Sequence, residues 1–134
     1  MGSQTNAPLP EDLEVGGYRI ARKIASGGFS IVYLALDGEG RRFAVKEYLP
    51  STLVRRAPGE LSPSVASENA STYRNGLKCF FEEGRALARI IHPNVVRVVN
   101  FFRANDTVYL VMDFEEGRSL QELILRHRGR EARA

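Results

Sequence analysis

Residues 18–48 constrain the fold most strongly, because three β-rich runs follow one another with glycine turns between them. From Tyr18 the pattern alternates through Ile20, Arg22 and Ile24, and residues 31–36 form the second run. Gly27-Gly28 between them signals a hairpin, since glycine takes up tight-turn backbone angles at little steric cost. Asp37-Gly38-Glu39-Gly40 is a second turn cluster, after which residues 42–48 give a third strand that Pro50 closes. The expectation is an antiparallel meander.

The rhythm then breaks. Residues 51–75 contain Pro58, Gly59, Pro63 and many serines, which predicts a long loop with one short helical turn. Residues 76–91 place Leu77, Phe80, Phe81, Leu87, Ile90 and Ile91 among charged residues, a helical stripe that His92-Pro93-Asn94 ends. Residues 95–102 and 107–114 read as two further strands joined by Ala104-Asn105-Asp106. Residues 119–127 read as a short amphipathic helix with Ser119 as N-cap. The order β-β-β-α-β-β-α predicts an α+β domain: a five-stranded antiparallel sheet, one main helix and a short C-terminal helix. Residues 1–17 show no apolar period and are expected to form a flexible leader without a secretory signal.

Composition sets outer limits. A chain of 134 residues with 43% hydrophobic and 26% charged side chains suits one core, and it holds no apolar run near the roughly 20 residues of a membrane span. Cys79 has no disulfide partner and no Cys/His group has metal-site spacing, so a reducing, cytoplasmic setting and no metal site are expected. The +3 charge and a pI near 9.3 suggest nucleic acid, but the basic residues are scattered apart from a terminal group at Arg126, Arg128, Arg130 and Arg133. Neither a nucleic-acid nor a membrane partner is expected.

Three local features could carry chemistry. The hairpin from Ala25 through Gly27, Gly28 and Ser30 to Val32 is small enough for backbone N–H groups to approach an anion, with an ordinary Gly-Gly turn as the alternative. On the third strand, Ala44 and Lys46 share a face, leaving room for a flat ring beside a cation; a solvated strand-end lysine is the alternative. Glu83 on the main helix could hold Lys46 extended, although Glu82 or Glu83 could instead pair along the helix with Arg85 or Arg89.

The ordered set of glycine hairpin, Ala44-Val45-Lys46, Glu83, His92-Pro93-Asn94 and Val108-Tyr109-Leu110-Val111-Met112-Asp113-Phe114 resembles the N-terminal lobe of a eukaryotic-type protein kinase. The resemblance runs from about Tyr18 to about Leu125. Lys46-Glu47-Tyr48-Leu49-Pro50 and the insert at about 51–75 look most like bacterial serine/threonine kinases. By that resemblance, Val32 and Ala44 enclose adenine and Lys46 contacts the α- and β-phosphates of ATP, with Glu83 as its partner. Met112 is then the gatekeeper, the Asp113 carbonyl and the Glu115 N–H meet the adenine edge, Ser119 lies near the ribose, and Leu87 and Val98 join a hydrophobic spine. The resemblance thus makes residues 18–134 a kinase small lobe through the hinge.

Two departures qualify the resemblance. Of the family's Gly-x-Gly-x-x-Gly only the middle glycine is kept, with Ala25 and Ser30 at the outer positions, which stiffens the loop. No His-Arg-Asp, Asp-Phe-Gly or Ala-Pro-Glu motif occurs, and Asp113-Phe114-Glu115 is better read as hinge than as a metal motif. The expectation is therefore an ATP-binding lobe, inactive alone, whose Mg2+ ligands and catalytic loop belong to the large lobe of a longer enzyme acting on protein substrates. The alternative is a non-catalytic pseudokinase or interaction module that self-associates through apolar surface the large lobe would cover.

Overall fold

The computed structural model describes residues 4–89 and 97–114. Three strands form the expected meander: β2 (Tyr18–Ser26), β3 (Ser30–Leu36) and β4 (Arg42–Tyr48), preceded by a two-residue strand β1 (Glu14–Val15). The turn from β3 to β4 is built by Asp37, whose Oδ1 accepts hydrogen bonds from the N–H groups of Glu39 and Arg41 at 2.9 Å each. After an insert and a helix come β7 (Val98–Ala104) and β8 (Thr107–Asp113). Asn105 and Asp106, at φ of 52° and 59°, make the two-residue turn between them, a left-handed conformation that Asn and Asp tolerate. The antiparallel sheet has the order β1-β2-β3-β4-β8-β7, one short strand more than the expected five.

Register fixes two faces. Val32, Lys46 and Leu110 lie directly opposite one another across β3, β4 and β8, as do Leu34, Ala44 and Met112, so these six share a face. Tyr33, Val45 and Val111 form a row on the other face, beside Ile31, Glu47 and Tyr109.

The helix α1 (Ala70–Ala88) covers the first face at the β8–β7 side, preceded by a single 3-10 turn at Ser67–Asn69. It begins six residues earlier than expected from the sequence. Tyr73 explains the extension: it is buried, packs at a tilt against Tyr48 with ring centroids 5.4 Å apart and donates its hydroxyl to the Asp106 carbonyl at 2.7 Å. Tertiary partners thus make helix of a stretch in which Ser71, Thr72, Tyr73 and Asn75 have weak intrinsic preference for it. Gly84 lets the helix approach closely, since a Cβ there would collide with Leu110.

The second face is covered by two segments expected to be loose. Residues 4–13 are not a free leader: Leu9 and Asn6 are buried, and the Leu9 N–H donates to the Tyr33 hydroxyl at 3.0 Å. The insert between β4 and α1, expected as a long loop with one short helical turn, contains besides that turn a small hairpin, β5 (Val54–Arg55) and β6 (Ser64–Val65). A buried polar network joins both segments to the sheet. Arg56 donates to both Glu47 oxygens at 2.8 Å, and the hydroxyls of Tyr33 and Tyr109 donate to the same carboxylate at 2.7 and 2.6 Å. The short C-terminal helix expected at 119–127 and the His92-Pro93-Asn94 stop lie outside the described residues. Among the described residues no helix is long and apolar enough to cross a membrane.

Candidate functional site

The first sheet face gathers most of the residues singled out in the sequence. Val32, Ala44 and Met112, all at least 97% buried, pack in one cluster with Leu87 of α1 and Val98 of β7, and Ala25 lies against it. The expected spine pair, Leu87 and Val98, therefore sits in the same cluster as the expected adenine-facing residues. Ala44, the smallest of the row, is flanked by Leu34 and Met112.

Lys46 is only 2% exposed, which excludes a solvated strand-end lysine. Its Nζ lies 5.5 Å from the centre of the Phe80 ring, so an aromatic face from α1 covers part of the ammonium. A buried cation has lost its hydration and must be compensated by protein groups or by an anionic ligand. One carboxylate lies on the face of α1 that meets this part of the sheet. The sheet-facing stripe of that helix runs through Tyr73, Phe80, Gly84 and Leu87, and Glu83 lies on it, with Oε1 withdrawn from solvent, while Glu82 and Arg85 face outward. Phe80 meets Lys46, and Gly84 meets Leu110, the cross-strand neighbour of Lys46. Glu83 falls between these two contacts on the helix, so it is Glu83 and not Glu82 that the fold turns toward the lysine strand.

The glycine hairpin joins β2 to β3 through Gly27, Gly28 and Phe29, and Phe29 projects at its tip, 61% exposed. The Gly27 N–H closes the turn on the Ser30 carbonyl at 2.9 Å. Ser30, the first residue of β3, is itself buried. The three tip carbonyls all accept hydrogen bonds from outside the hairpin: Gly27 from Gln4 at 3.2 Å, Gly28 from the Ser51 N–H at 2.9 Å and Phe29 from the Leu49 N–H at 2.7 Å.

At the other end of the sheet, β8 finishes at Asp113, whose N–H donates to the Arg97 carbonyl at 3.2 Å. Phe114 follows, packed against the Ala44–Met112 cluster with the Arg42 guanidinium 5.6 Å over its ring. Glu115 and Ser119, the other expected nucleotide contacts, lie outside the described residues.

Sequence reasoning missed the polar network on the opposite face. Glu47 is fully buried, and so are the side chains of its partners. Burial alone would lower the Arg56 pKa, but the hydrogen bonds and charge of Glu47 outweigh it and push the guanidinium above its ordinary range. Burial, followed by the nearby Glu47 charge, raises the Tyr33 and Tyr109 phenols well above their ordinary value. The signal was available: the two-residue period that puts Ala44 and Lys46 on one face puts Glu47 on the other, beside Val45.

Comparison with known proteins agrees with this fold. The protein kinase domain family matches residues 18–133. The serine/threonine-protein kinase pkn2 of Myxococcus xanthus is 31% identical over 117 residues, covering 86% of this chain and 12% of the relative. PknG of Mycobacterium leprae (strain TN) is 31% identical over 117 residues, covering 84% of this chain and 13% of the relative. The apo form of PpkA-294 superposes with a TM-score of 0.77 at 33% identity, covering 92% of this chain and 44% of that one. The chain thus spans a small part of the relatives it matches. It belongs to the protein kinase domain family and has the fold of that family's small lobe.

Proposed function

We propose that this chain is the ATP-binding lobe of a serine/threonine protein kinase, which in its complete polypeptide transfers the γ-phosphoryl group of ATP to protein hydroxyls. One observation carries the reading: Lys46 is almost wholly buried on the face that also holds Val32, Ala44 and Met112. Those three side chains supply an apolar bed suited to a purine ring. Lys46 supplies a desolvated cation next to it, where an electrostatic contact with phosphate is worth more than in water. Glu83 pairs with Lys46 and holds the ammonium extended toward the α- and β-phosphates. Backbone N–H groups at Gly28 and Ser30 line the phosphate side, with Ala25 and Gly27, whose own N–H closes the turn, at the rim. The Asp113 carbonyl and Glu115 N–H bond the adenine edge, and Ser119 approaches the ribose.

The described residues offer no group of three or more His, Cys, Asp or Glu side chains that could hold a metal ion, so no step assigned to this chain passes through Mg2+. Metal binding and orientation of the attacking hydroxyl fall to the large lobe, the principal partner of this one.

Lys46→Met in the complete enzyme, which keeps the chain length and removes the charge, should reduce turnover on the order of a hundredfold or more. Mg-ATP should raise the melting temperature of the unsubstituted protein and fail to do so in the variant. Unchanged turnover in Lys46→Met would overturn the assignment.

A further inference from the structure

The carbonyls at the tip of the glycine hairpin are bound by groups that lie outside it, and one of those groups comes from the far N-terminal side of the chain. Gln4 donates its Nε2 to the Gly27 carbonyl at 3.2 Å and to the Leu49 carbonyl at 2.7 Å. Its Oε1 accepts from the Asn6 N–H at 3.2 Å and from Asn6 Nδ2 at 3.0 Å, which fixes the orientation of the amide. Asn6 is in turn anchored. Its Nδ2 donates to the Val54 carbonyl at 3.3 Å, and its Oδ1 accepts from the Arg56 N–H at 2.8 Å. Arg56 closes the chain through its fully buried pair with Glu47, the residue after Lys46.

We propose that Gln4 is a positioning residue that straps the glycine hairpin to the end of β4, and that the Glu47–Arg56 pair is the anchor of the strap. The proposal rests on the reading of this hairpin as a phosphate cradle. A trans peptide carries its C=O and N–H on opposite edges. Holding the carbonyls of Gly27 and Gly28 therefore also fixes the directions of the N–H groups of Gly28 and Phe29. With alanine and serine at the outer positions of the glycine pattern, the hairpin has already lost part of the freedom glycine gives. Gln4 removes more of it, so the donors are set before a nucleotide arrives and less ordering is left for binding.

Gln4→Glu separates the two ends of the strap, because a carboxylate still accepts from Asn6 but cannot donate to Gly27 or Leu49. In the full protein without nucleotide, amide exchange at Gly27, Leu49 and Ser51 should quicken by about three- to tenfold, the share of the one hydrogen bond lost at each of the two strapped carbonyls, with Tyr33 and Val45 unchanged. The KM for ATP should rise by a similar factor with kcat little altered. Gln4→Ala should reproduce both effects. No local change, or an equal rise at Tyr33 and Val45, would overturn the strap; a local rise with an unaltered KM would overturn the positioning role. If the unsubstituted protein ignored Mg-ATP, the nucleotide reading would fall, while a local rise would still support the strap.

Discussion

Lys46 and Glu47 are neighbours in the chain and opposites in environment. Strand alternation sends the lysine to the helix side, under Phe80, and the glutamate to the other, where Arg56, Tyr33 and Tyr109 surround it. The alternation was legible in the sequence; the identity of the partners was not, because Arg56 comes from an insert with no periodic pattern. The tyrosines lead to a pH prediction. Burial and the Glu47 charge raise their folded pKa values above the ordinary 10.0, so above that pH the folded chain keeps protons that the unfolded chain has released. Stability should be constant with respect to these groups below pH 10 and should fall above it, by up to about 1.4 kcal/mol per pH unit for each phenol. Urea midpoints measured from pH 9 to pH 11.5 would show this, and a flat profile would contradict it.

Among the elements, α1 has the most to settle. Its apolar stripe was readable from Leu77 onward, yet its first turns were not, because Tyr73 contributes only through Tyr48 and the β7–β8 turn. The same stripe turns Glu83 inward and leaves Glu82 outside. Gly84 sets the distance between helix and sheet. Gly84→Ala improves helix propensity by up to about 1 kcal/mol but drives a methyl group into Leu110, and overpacking of a filled core costs about 1–3 kcal/mol. The net should be a loss of about 1 kcal/mol in denaturant melts, together with a weaker thermal response to Mg-ATP as Glu83 is pushed off the sheet. A variant as stable and as responsive as its parent would mean that Leu110 yields freely.

For the molecule as a whole, the sheet closes against α1 on one face and against residues 4–13 with the insert on the other. Leu9 is a member of the larger core, 3% exposed. Leu9→Ala should therefore cost about 2–5 kcal/mol in equilibrium unfolding, the range for a buried leucine, whereas a free leader would cost nothing. The meander, the later hairpin, the placement of Ala44 and Lys46 on one face and the family were determined by the sequence alone, because a two-residue period, turn residues and ordered motifs are local signals. Tertiary structure alone decided that the N-terminal segment is part of the core and that the insert forms a hairpin. It also decided that a glutamine four residues into the chain reaches the glycine turn. Those contacts join residues 23 to 50 positions apart, and each segment acquires its structure only from a surface the others supply.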